Sequence, residues 1–152
     1  MEATHGGSES VGLPGRRPRV LIVDDDPGIR LVCATTLSLD GYEVIEAANG
    51  QEALKLVLTQ APDVVLLDIS MPVLDGFGVA AALRADERTR ALPFVFLTGE
   101  LDPTVTKRGH EVGAAGFFPK PFDAGAVVAF LGRLIGELTH AEATVSTSGH
   151  AA

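Results

Sequence analysis

Five short apolar runs, each followed by a stretch with helical periodicity, constrain this chain more than any other feature. They are PRVLIV (18–23), YEVIEA (42–47), DVVLL (63–67), FVFLT (94–98) and AAGFF (114–118). Runs that are mostly apolar, with helices between them, indicate strands of a parallel sheet covered on both faces. Right-handed crossovers then give a doubly wound α/β fold, whose site lies beyond the strand C-termini at the topological switch point.

Helix boundaries are marked by turn and capping residues. Asp26-Pro27 starts a helix that runs to about Leu39 and stops at Asp40-Gly41. A carboxylate cap followed by proline at the first helical position is a favourable start, since the missing N–H costs nothing there. Asn49-Gly50 turns into QEALKLVLTQ, and Ala61-Pro62 breaks it. Asp75 leads into GFGVAAALRA, Asp102-Pro103 opens a fourth helix, and Asp123 precedes VVAFLGRLIGEL. Gly109 and Gly113 are placed inside the fourth helix, and each interior glycine costs ~1 kcal/mol relative to alanine. That helix is therefore expected to be the least firmly held. The flavodoxin-like strand order 2-1-3-4-5 is adopted for these five strands and five helices; periodicity does not select it. It puts strands 1 and 3 side by side.

Length and composition set the frame. The 152 residues suffice for one ordinary core, and 46% hydrophobic with 21% charged residues is a globular balance. Residues 1–17 and 139–152 are rich in small and polar types and are expected to be flexible tails around a body at 18–138. A net charge of −8 argues against a nucleic-acid surface, and Arg16, Arg17 and Arg19 read as a solvated flank. Cys33 is a lone cysteine in an amphipathic stretch, hence a core residue in a reducing compartment. MEATHGGSES is not a signal peptide, and no apolar run is long enough to span a membrane, so a cytoplasmic location is expected.

Four of the strands end in polar residues: Asp24-Asp25-Asp26, Asp68, Thr98, and Lys120 in FFPKPF. Asp26, Asp75, Asp102 and Asp123 have ordinary work as helix caps. Asp24, Asp25 and Asp68 do not. Two carboxylates ~5 Å apart repel by roughly 3 kcal/mol at an effective dielectric of about 20. Three together need a cation, and oxygen ligands with open positions favour Mg²⁺, which can also take a phosphate oxygen. A phosphoryl group on Asp68 would have its oxygens met by the metal, by Lys120 and by the Thr98 hydroxyl.

With VLIVDDDPGIR, VVLLDISMPVLDGF, FVFLTGE and GAAGFFPKPF in that order, the chain resembles the receiver domain of two-component response regulators, like the single-domain chemotaxis regulator. The resemblance implies that Asp68 is the phosphoacceptor. It implies that Asp24, Asp25 and the Ser70 backbone carbonyl bind Mg²⁺ with Asp68, and that Thr98 and Lys120 are switch residues. Phe117 matches the aromatic switch position, without a tyrosine hydroxyl. Lys120-Pro121 would be a cis peptide. Ser70 and Glu100 occupy positions that tune phosphate lifetime, and Gly99 replaces the more familiar alanine beside Thr98.

The phosphoryl donor would be a histidine kinase or a histidine phosphotransfer protein. The listener would be a protein partner at the face of helix 4, strand 5 and helix 5; the sequence leaves open whether the active form is a phosphorylation-dependent homodimer. The chain would act on its own Asp68 and on no external substrate. None of His5, His110, His140 and His150 reads as a donor. Two other chemistries fit less well. A haloacid-dehalogenase-like phosphohydrolase has its nucleophile first, in D-x-D, whereas the acidic pair comes first here. A flavodoxin-like carrier would have its flavin phosphate repelled by Asp24-Asp25-Asp26. No output segment follows the fifth helix, so a stand-alone regulator and a receiver fragment of a larger one are both open. Met1 reads as a natural N-terminus.

Overall fold

The computed structural model describes residues 16–120 and 123–151, with side chains described to residue 137. The elements alternate strictly: β1 (Arg19–Val23), α1 (Pro27–Leu39), β2 (Glu43–Ala47), α2 (Gly50–Gln60), β3 (Val64–Asp68), α3 (Gly76–Ala85), β4 (Phe94–Thr98), α4 (Pro103–Glu111), β5 (Gly116–Pro119) and α5 (Ala124–Ala151). All neighbouring strands pair in parallel, in the order β2-β1-β3-β4-β5. This is the doubly wound arrangement anticipated from the apolar runs.

Strand position explains strand composition. Every residue of β3 and β4 is buried, whereas the edge strands β2 and β5 are only partly covered. Alternation along each strand divides the interior into two cores. Leu21, Val23, Val65, Leu67, Phe94 and Phe96 pack with α2 and α3, joined by Val105 of α4. Val20, Ile22, Val64, Leu66, Val95 and Leu97 pack with Cys33 and Leu37 of α1 and Val127, Leu131 and Ile135 of α5. Cys33 is a core residue as expected; burial pushes its thiol up to about 12.

The four aspartate caps are present. Asp26 accepts from the N–H of Gly28 at 2.8 Å, Asp75 from Gly78 at 2.8 Å, Asp102 from Val105 at 2.9 Å and Asp123 from Gly125 at 2.9 Å. Gly41 and Gly113 both have positive φ, 96° and 85°, and terminate α1 and α4. At α4 the Ala114 N–H donates to the Gly109 carbonyl and the Gly113 N–H to the His110 carbonyl, both at 3.0 Å, a Schellman closure.

Several expectations are corrected. Gly113 lies beyond α4, where it is the left-handed terminator, so only Gly109 is interior to that helix. The fifth strand starts at Gly116, because Ala114 closes the α4 turn instead of pairing. The last helix continues past Leu138 to Ala151, through an Ala141-Glu142-Ala143 stretch of good helix formers. The arginine flank is not simply solvated. Arg16 holds both carboxylate oxygens of Asp63 at 2.7 Å, and the Arg19 N–H donates to the same carboxylate at 2.7 Å. The Arg19 guanidinium reaches the Gln60 carbonyl at 2.7 Å and Glu43 at 3.2 Å. The N-terminal tail assignment falls on residues outside the described ones, apart from Arg16 and Arg17, and so does Pro121 of the expected cis peptide.

Candidate functional site

The site lies where β1, β3 and β4 end. Val23 pairs with Leu67 and Asp68 with Leu97, so Asp24 and Asp68 emerge side by side with Thr98 one residue beyond Leu97. Asp24 is fully buried, Asp68 is 2% exposed and Thr98 is 3% exposed; Asp25 faces solvent. Ligand oxygens of Asp24, Asp25 and Asp68 all lie within 4.8 Å of one another.

Lys120 completes the cluster from the end of β5, its N–H donating to the Thr98 carbonyl at 2.7 Å. Its Nζ sits 2.7 Å from Asp24 Oδ2 and 3.0 Å from Asp68 Oδ1. Asp24 Oδ2 is thus the nearer of the two carboxylate oxygens that the ammonium pairs with. Burial raises the Asp68 carboxyl to about 6; the Asp24 charge adds to that, while Lys120 and the Ser70 N–H at 3.3 Å oppose it. Burial alone would lower Lys120, but its two carboxylate partners outweigh that and hold it above its ordinary value.

These observations test whether a divalent cation suits the residues. Three carboxylates converge and a single ammonium opposes only one of their charges. Hard oxygen ligands of this kind fit Mg²⁺.

Thr98 and Phe117 are near the cluster but otherwise engaged. The Thr98 hydroxyl donates to the Glu100 carbonyl and accepts from the Glu100 N–H, both at 3.1 Å. The Glu100 and Ser70 side chains are exposed. The Phe117 ring packs against Phe96, with centroids 5.9 Å apart, and edge-on against His110 at 5.3 Å.

Sequence reasoning missed three supports. Arg30 of α1 donates to the Asp24 carbonyl at 2.7 Å and pairs with Glu46 at 3.3 Å; its place one turn after the acidic triplet was the available signal. Gly76 lets α3 begin against the acidic strand end, since a Cβ there would lie 2.5 Å from the Asp68 carbonyl oxygen and 2.7 Å from Ile69 Cα. The glycine directly after the Asp75 cap was the clue. Leu74 sits between Gly50 and Gly78, where added Cβ atoms would come within 2.9 Å and 2.6 Å of its side chain. No local pattern announces that fit.

A doubly wound sheet presenting buried carboxylates and an ammonium at its switch point belongs to the class of receiver folds. A family model for the response regulator receiver domain matches residues 20–131. The chain belongs to that family: it is the receiver domain of a response regulator in two-component signalling. The chain is 38% identical over 114 residues to the DNA-binding dual master transcriptional regulator RpaA of Synechocystis sp., covering 74% of this chain and 46% of that one. It is 38% identical over 112 residues to the phosphate regulon transcriptional regulatory protein PhoB of Pseudomonas aeruginosa, covering 74% and 49%. The chain thus spans about half the length of these curated relatives. Its fold matches chemotaxis protein CheY4 of Vibrio cholerae with a TM-score of 0.74 and 38% identity, over 77% of this chain and 98% of that one. Among the described residues no helix is long and apolar enough to cross a membrane.

Proposed function

We propose that this receiver, with its body at residues 18–138, is a cytoplasmic switch phosphorylated on Asp68 by a histidine kinase or a histidine phosphotransfer protein. The carrying observation is a buried Asp68 carboxylate with the Lys120 ammonium 3.0 Å away and Asp24 and Asp25 beside it. Asp24, Asp25, Asp68 and the Ser70 backbone carbonyl would hold Mg²⁺. Bound there, the metal supplies positive charge that offsets the carboxylates and neutralises the incoming phosphoryl oxygens.

An Asp68 oxygen attacks the phosphorus of a phosphohistidine. The new O–P bond forms as the P–N bond breaks, and the electron pair returns to the imidazole, which takes a proton from solvent. Lys120 exchanges its carboxylate contact for a phosphoryl oxygen and so keeps the added charge neutralised. Thr98 must release the Glu100 backbone before its hydroxyl can donate to another phosphoryl oxygen. Freeing that loop is the first mechanical consequence of phosphorylation. The signal then reaches the α4–β5–α5 face, with Phe117 changing its packing, as a shift between two populations. The exposed Ser70 and Glu100 side chains flank the phosphoryl position and set how readily water reaches it. The receiver catalyses its own phosphorylation and dephosphorylation and acts on no other substrate.

The test is intact mass after incubation with acetyl phosphate, with and without Mg²⁺, for the wild type and Asp68→Asn. One phosphoryl group, gained only by the wild type and only with metal, is expected. A phosphoryl group on Asp68→Asn, or none on the wild type even when the sample is quenched within seconds, overturns the assignment.

The greater length of the transcriptional relatives supports a second reading, in which the receiver controls an output segment of the same polypeptide. An immunoblot of the native protein at about twice the mass of this chain would favour that reading over a separate partner.

A further inference from the structure

Helix α4 reads PTVTKRGHE, and Gly109 is its buried residue. A glycine inside a helix weakens it relative to alanine. Here the missing side chain has a replacement: a Cβ at Gly109 would overlap Cε2 and Cζ of Phe117 and lie 3.4 Å from Phe96 Cδ2. The ring of Phe117 fills the place where an α4 side chain would otherwise stand. The edge contact with His110 at 5.3 Å and the Phe96 ring at 5.9 Å border the same seat.

The helix is held at its other contacts. Arg108 lies over the Phe77 ring, 4.0 Å from its centroid. Arg84 of α3 donates to the Gly113 carbonyl at 3.0 Å, just past the end of α4, and to the carbonyls of Arg90 and Leu92 at 2.8 Å.

We propose that Gly109 is the positioning residue that sets the resting place of Phe117, and that the ring in this seat locks α4 in its resting orientation. When the ring leaves, a hole opens beneath Gly109 that no other atom of α4 fills, so the helix must move to close it. Ring and helix are thereby obliged to change together. The coupling to phosphorylation rests on the reading of Asp68 given above; the seat itself does not.

Thermal unfolding of the full chain tests the seat. Gly136 in α5 is the control, because a Cβ there meets nothing within 4 Å. Gly136→Ala should raise Tm, as helix propensity dictates. Gly109→Ala should lower it, by about 3 °C or more. In a Phe117→Ala background, Gly109→Ala should raise Tm instead, and if Gly109→Ala alone does not fold, Phe117→Ala should restore folding. A rise in Tm for Gly109→Ala alone, or no reversal in the Phe117→Ala background, overturns the proposal.

NMR of ring-labelled phenylalanine then reads the lock. The Phe117 resonance of metal-free Gly109→Ala should lie displaced from the wild-type position, toward that of wild type with Mg²⁺ and beryllofluoride. A resonance unchanged by Gly109→Ala overturns the proposal. A wild-type ring that does not respond to Mg²⁺ and beryllofluoride counts against the phospho-switch reading, while the melts alone decide the seat.

Discussion

In its proposed role as phosphoacceptor, Asp68 combines two demands that oppose each other. A nucleophile for phosphoryl transfer has to be ionised, yet burial holds its carboxyl at about 6 rather than 3.8. The folded state therefore binds this proton more tightly than the unfolded chain. Stability falls as pH rises from about 4 to about 6, and the full cost, roughly 3 kcal/mol at 1.36 kcal/mol per pKa unit, is present above that window. Asp68→Asn should therefore stabilise the metal-free protein at pH 7.5 by about 1–3 kcal/mol, with the gain vanishing near pH 4. Urea unfolding at both pH values checks this, and a less stable variant at pH 7.5 would refute it. The residues that gather at the site were legible because Asp24, Asp25, Asp68 and Lys120 each end an apolar run. The engagement of the Thr98 hydroxyl by Glu100 was not, since a hydroxyl chooses its partner by a two-residue turn that leaves no pattern. Arg30 was not either, because its acceptor is a backbone carbonyl, which every residue has.

The loop between β3 and α3 carries the clearest strain among the described elements. Val73 has φ 70° and is 92% exposed, while the Leu74 N–H bonds the Pro72 carbonyl at 2.8 Å. That is a tight three-residue turn, rare for any residue and worst for a β-branched one. The side chain of Leu74, seated between Gly50 and Gly78, holds the turn in place. Val73→Gly should relieve the strain and stabilise the fold by about 1 kcal/mol, despite the greater freedom of glycine in the unfolded chain. A loss of stability in denaturant titration would show that Val73 is not strained. Element interiors and capped helix starts were readable here, whereas the start of β5 and the ends of α4 and α5 were not. Central strands are buried on both faces, so their apolar runs are continuous; β5 is an edge strand, where alanines give no β signal and a terminal proline is tolerated. Gly113 was placed inside a helix because a glycine's φ is not visible in a string of letters.

At the scale of the whole molecule, the sheet has a working end and a fastening end. The carboxylates and Lys120 occupy the C-terminal strand ends, while Asp63, just before β3, collects Arg16 and the Arg19 N–H at the opposite end. These partners lie 44 to 47 residues away in sequence, which is why local periodicity read them as a solvated flank. Asp63→Ala should cost about 1–2 kcal/mol, the lower part of the range for charged hydrogen bonds because Arg16 is partly exposed. Acetyl phosphate labelling of Asp68 should proceed at the wild-type rate in the same variant; a large drop would mean that the two ends are energetically coupled.

Phe117 and Phe118 are adjacent on β5, yet Phe117 joins the core beneath α2, α3 and α4 while Phe118 joins the core beneath α1 and α5. Phe118 meets Phe130 of α5 edge-on at 5.5 Å. Two neighbouring side chains thus address two helices through interiors that share no side chain. In evolutionary terms the surfaces of α4 and α5 can drift separately: α4 can be recut without repacking α5, and the reverse. A lineage that duplicates this receiver can therefore vary these two surfaces one helix at a time.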